Sequence, residues 1–114
     1  MTRDEILKLE AGREMDALIG EFIFGFSKPF PVYEPMKSKH GDYMVRPISE
    51  YSNDISAAWD VVEWLKDGYL DFDLYYQPAR GGWLCAFGPH LDKSPTSKTP
   101  ALAICRAALL AVQL

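Results

Sequence analysis

The side chains with chemical potential are few. There are two cysteines, Cys85 and Cys105, and two histidines, His40 and His90. A thiol works as a nucleophile only when its surroundings favour the thiolate. Cys85 falls in the apolar run Trp83–Phe87 and Cys105 in a largely apolar stretch, Ala101–Ala108, whose one charge is Arg106, settings that favour buried, inert thiols. His40 and Asp42, and again His90 and Asp92, have the spacing His-x-Asp. On a strand such a pair points to one side. Both pairs sit among Gly and Pro, however, and two histidines alone do not make a metal site of three or four converging ligands. A Cys85–His90 hydrolase would need Asp92 as an orienting group, and the spacing alone gives no support for one.

Asp71 and Asp73 would lie about 7 Å apart on one strand face. Paired carboxylates can exchange protons, but they also keep an open sheet face soluble and discourage edge pairing, and the second reading is favoured. Arg80-Gly81-Gly82-Trp83 lacks the spacing of a phosphate-binding loop, and positive φ in a turn accounts for its glycines. The one pattern suited to nucleic acid is Lys28, Lys37, Lys39 and Arg46 interleaved with Tyr33 and Tyr43, with Arg80 as a further cation. A solvated, proline-rich loop explains the same charges. No catalytic, cofactor-binding or metal-ligating residue is assigned, and a non-enzymatic protein is expected.

Composition sets the frame for these residues. The chain has 114 residues, 48% hydrophobic and 25% charged, which suits one folded domain and excludes wholesale disorder. Two cysteines give no disulfide framework and no four-thiolate zinc site. No apolar stretch is long enough to span a bilayer, and charges directly after Met1 are unlike a secretory leader. Twelve basic and 16 acidic side chains leave a net charge of −4. Residues 50–73 hold seven acids and one base, whereas residues 28–49 and 74–114 are mildly basic. A domain-wide nucleic-acid footprint is disfavoured, while a local patch is compatible with this distribution.

Hydrophobic spacing predicts the elements. A first helix is expected over Arg3–Phe24, with Thr2 and Glu5 as a capping box, Leu7, Ala11, Met15, Leu18 and Phe22 as its stripe, and Asp16 on the solvent side. Residues 27–53 hold four prolines and read as irregular, with one edge strand over Asp42–Arg46. A second helix follows Ser52-Asn53-Asp54, with Ile55, Ala58, Trp59, Val62 and Leu65 toward the core. Tyr69–Tyr76 and Trp83–Phe87 make a hairpin, the second strand the more central. The last helix, Pro100–Val112, is capped by Thr99. It is apolar nearly all round, so it is either the centre of the core or a contact between copies.

Three stretches carry a family resemblance. They are TRDEILKLEAGREMDALIGEFIFG near the start, YSNDISAAWDVVEWL (Tyr51–Leu65) and TPALAICRAALLAV (Thr99–Val112). In this order, with a variable insert at about 27–50 and a hairpin before the last motif, they resemble the phage ABA sandwich domain family. The resemblance covers nearly the whole chain apart from the insert. It implies an α+β fold, with an antiparallel sheet of about three to four strands sandwiched with three helices. It also implies a bacteriophage or prophage origin, hence the cytoplasm of an infected bacterial host. It carries no activity and no functional residue onto this chain. The expected role is a phage accessory protein that binds a phage or host protein, with weak self-association through the last helix or a sheet edge. A nucleic-acid-binding module is the alternative reading, and a small hydrolase the third.

Overall fold

A computed structural model describes residues 2–26, 33–37, 43–68, 71–88 and 95–113 of the chain. The elements run α1 (Arg3–Lys8), α2 (Arg13–Phe22), β1 (Tyr33–Lys37), β2 (Tyr43–Pro47), α3 (Ile55–Leu65), β3 (Phe72–Gln77), β4 (Gly82–Phe87) and α4 (Pro100–Gln113). The class is α+β, as expected. Four helices stand among the described residues in place of three. Their four strands form two separate antiparallel hairpins, β1–β2 and β3–β4.

The first expected helix is two. The capping box forms, with Glu5 N–H donating to Thr2 Oγ1 and Thr2 N–H to Glu5 Oε1. The helix then stops because tertiary partners take the backbone groups it would have used. Leu9 turns extended, and its carbonyl accepts from Arg106 Nη2 at 2.9 Å. Gly12 adopts φ +155°, and its N–H donates to Ser52 Oγ at 2.9 Å. This break resets the helical phase. Met15, Asp16, Ile19, Gly20 and Ile23 turn inward, while Phe22, expected on the stripe, is exposed. Gly20 does more than loosen the helix. A methyl there would sit 2.5 Å from Ile48 Cδ1, so its missing side chain is what lets Ile48 seat on α2.

The edge strand expected over Asp42–Arg46 exists one residue later, as β2. The preceding β1, which holds Pro35, is its unexpected partner, with Tyr33 opposite Pro47 and Lys37 opposite Tyr43. β3 and β4 pair from Phe72–Phe87 to Gln77–Gly82. Phe72, Leu74, Cys85, Trp83 and Phe87 join the core, while Asp73 and Tyr75 are exposed. The outer edge of β4 takes a further bridge, in which Trp83 and Ser97 exchange both backbone hydrogen bonds at 2.8 and 2.9 Å. The apolar β4 is therefore central, as its composition indicated. Gly81 has the positive φ of the turn (+68°), but Gly82 serves a different need. A Cβ there would run into the Thr96 side chain and come within 2.9 Å of the Ser97 carbonyl oxygen.

α4 is the hub. Thr99 caps it, accepting from Leu102 N–H. It packs on β4, α3, α2, α1 and β3. Ala101 to Cys105 and Ala107 to Leu109 are all buried, which explains a helix with scarcely any polar side. Its one cation, Arg106, reaches Leu9 O and Ser97 Oγ, and so ties the α1–α2 break and the β4 bridge to the same helix. Of the two roles considered for this helix, the structure gives it the centre of the core.

Candidate functional site

The surface best equipped for recognition lies on α3, and its construction starts from how that helix is fixed. Asp54 caps it by accepting from Ser56 N–H at 2.9 Å. Ala58, Val61, Val62 and Leu65 form the buried arc against α4. Ile55 and Trp59, expected to face the core, lie at the margin of that arc, 45% and 44% exposed. Trp64 lies beyond the other margin, 60% exposed. The arc has room only for small and aliphatic side chains at the α4 contact, so the indoles fall to either side of it.

Each indole is braced. Trp59 meets Phe72 edge-on with ring centroids 5.9 Å apart, and Phe72 rests on Phe87 at 5.0 Å. Trp64 meets Phe24 at 5.1 Å, and Phe24 stacks on Tyr51 at 5.3 Å and on Phe26 at 5.5 Å. The two tryptophans are five residues apart, hence about 140° around the helix. The solvent-facing sector between them holds Ser56, Asp60 and Glu63, all exposed, with exposed Asp67 following in the next turn. Lys66 pairs with Glu63 at 2.7 Å. That contact, aided by the Trp59 side chain, which also hydrogen-bonds Glu63, holds the Glu63 carboxyl below its ordinary range. The result is an acidic strip between two partly exposed, pre-positioned aromatic rings.

Between α2 and the turn that leads into α3 is a buried polar clamp, at a carboxylate whose charge suggested solvent. Asp16 is 2% exposed. Its Oδ1 accepts from Ser52 N–H at 2.8 Å and from Ser52 Oγ at 2.6 Å. Desolvation raises its pKa, the two Ser52 hydrogen bonds pull it down, and nearby Glu50 pushes it up. Because Ser52 also receives the Gly12 N–H, one hydroxyl locks the α1–α2 break to the entry of α3.

The residues singled out for chemistry do not converge among the described residues. Cys85 and Cys105 are both buried, and neither is in a disulfide. Burial, with a smaller contribution from Asp73, pushes Cys85 up to about 12, and burial raises Cys105 further, so neither is a thiolate near neutral pH. His40, Asp42, His90 and Asp92 lie outside the described residues, as do Lys28 and Lys39. Lys37, Arg46, Tyr33 and Tyr43 are all on the β1–β2 hairpin, where Arg46 is the register partner of Glu34. Arg80 is exposed in the turn of the other hairpin, between β3 and β4. Asp71, just before β3, and Asp73, within it, are both exposed. No group of three or more metal-ligating side chains occurs among the described residues. No described helix is long and apolar enough to cross a membrane.

Residues 17–109 match the model of the phage ABA sandwich domain. The chain belongs to that family. Its fold is similar to that of a crystallised phage protein from Bacillus cereus, with 25% sequence identity and a TM-score of 0.67 over 90% of this chain and 87% of that one. No curated protein matches the chain. All three motifs that carried the resemblance have clear physical content: Asp16 of the first and Ser52 of the second form the clamp, while the third is the hub helix. Sequence reasoning missed the α3 surface although a signal was present. Trp64 falls off the apolar stripe of its own helix, and a large aromatic without a core position has to rest at the surface.

Proposed function

We propose that this member of the phage ABA sandwich family is a non-enzymatic interaction module that engages a phage or host protein through the solvent side of α3. The observation that carries the reading is the exposure of Ile55, Trp59 and Trp64 on one helix whose core face is already satisfied. Tryptophan is enriched among residues that dominate binding energy, and the bracing rings reduce the ordering cost of using it. The acidic strip between the indoles favours a protein over a polyanion such as DNA or RNA. The family and the Bacillus cereus relative support a phage setting, and action in the cytoplasm of the infected host is part of the proposal.

A photo-reactive amino acid at Ser56, in the middle of the strip, tests the reading in host cells. A discrete cross-linked protein that disappears in the Trp59→Ala, Trp64→Ala double variant is the expected result. Adducts indifferent to both substitutions refute it. Gel mobility of DNA and RNA at low salt is the parallel measurement, and a shift there would return the function to the Lys37, Arg46 and Tyr43 hairpin.

A further inference from the structure

Resting on that reading, we infer that the partner presents an amphipathic, cationic segment, apolar on one side and carrying Lys or Arg along its flanks, which lies along α3. Charge complementarity is the basis. Within the sector bounded by Trp59 and Trp64, every ionisable side chain is an acid, Asp60 and Glu63, and Asp67 extends the line. The neighbouring cation, Lys66, is held by Glu63 at 2.7 Å. An anionic or purely apolar partner would leave these carboxylates opposed or desolvated, both costly. A purely polar cation would leave Ile55 and the two indoles in water. A segment with both characters satisfies the whole surface, and an aromatic face attracts a cation directly as well.

The probe is a synthetic peptide of leucine and lysine, about four turns long, with its leucines on one helical face. Its binding to the intact protein is followed by tryptophan fluorescence and calorimetry. The expected result is binding about tenfold or more tighter than a scrambled peptide of identical composition. The Trp59→Ala and Trp64→Ala variants, and the Asp60→Lys, Glu63→Lys pair, each lose about tenfold or more. Thermal melts of each variant establish that it is folded. Equal binding of the scrambled peptide means general attraction of a polycation and overturns the inference. So does unchanged binding by the tryptophan variants. If the peptide fails while cross-linking from Ser56 still depends on Trp59 and Trp64, the interaction module stands and only the partner chemistry is wrong. If both fail, the module itself is refuted.

Discussion

Replacing Ser52 with Ala removes one oxygen that serves two partners, the buried Asp16 and the half-buried Gly12 N–H. The hydroxyl donates to Asp16 Oδ1 at 2.6 Å and accepts from Gly12 N–H at 2.9 Å. A hydrogen bond to a charged group contributes about 1.5–3 kcal/mol, and a stranded backbone donor costs about 1–3 kcal/mol. A loss of about 3 kcal/mol is therefore expected, a large fraction of the roughly 5–15 kcal/mol typical of a folded domain. For a chain of 114 residues, the usual unfolding entropy turns that loss into a fall of roughly 12 °C in Tm. Urea unfolding and calorimetry measure it, with Asn53→Ala, exposed next door, as the control. The cycle with Asp16→Asn isolates the part of the pairing that depends on the carboxylate charge, since Asn retains an acceptor for Ser52, and coupling of about 1 kcal/mol is expected. pH supplies the second axis. Desolvation raises the folded-state pKa of Asp16, so the native state holds this proton more tightly than the unfolded chain does. Its contribution to stability is then largest below the ordinary carboxylate pKa, and falls as pH rises through the raised value. Ser52→Ala removes the hydroxyl bond that favours the anion, keeps the backbone N–H bond, and extends that fall to higher pH, whereas Asp16→Asn abolishes it. A Ser52→Ala protein within 1 °C or so of the parent Tm, with an unchanged pH profile, would refute the clamp.

Other perturbations test the rest of the architecture. Gly82→Ala forces a methyl against Thr96 and the Ser97 carbonyl, and is expected to lower stability by about 1–3 kcal/mol and loosen the Trp83–Ser97 bridge, visible as faster amide exchange at both residues. Leu109→Ala, at a fully buried position of the hub helix, is expected to cost about 2–5 kcal/mol in chemical denaturation. Cys85 and Cys105 are expected to resist thiol reagents at pH 8 in the native protein and to react promptly in denaturant, and rapid native labelling would contradict their burial. Trp64→Ala is expected to change stability by less than about 1 kcal/mol, because its indole is mostly in water, so a larger loss would show that the ring is structural.

Legibility in the sequence followed the range of the forces involved. The capping box at Thr2, the Asp54 and Thr99 caps and the β3–β4 alternation are local, and they were readable because partner and target lie within a few residues. The break between α1 and α2 was not, because it depends on Ser52 and Arg106, 40 and 97 residues away from the backbone atoms they engage. The same distance hid Asp16, whose charge suggested solvent until Ser52 supplied its partner. β1 was hidden by Pro35, which marks a poor strand unless the strand lies at an edge. On α3, periodicity located the helix but drew the buried stripe too wide, since it could not tell which side chains α4 has room for. The candidate surface consists of the residues left over.

The place of α4 in the chain has a consequence for how the protein is made. The helix on which the other layers rest is the last of the described elements to be synthesised. At roughly 5–20 residues per second, α2 and α3 wait several seconds for the partner that covers their apolar faces. During that interval Val61, Val62, Ile19 and Ile23 have no hub to settle against. Folding is thereby delayed until the end of α4 is available, and Arg106 closes the structure by reaching back to Leu9. A nascent chain halted short of residue 100 is a client for chaperones and proteases, and not a smaller version of the same fold.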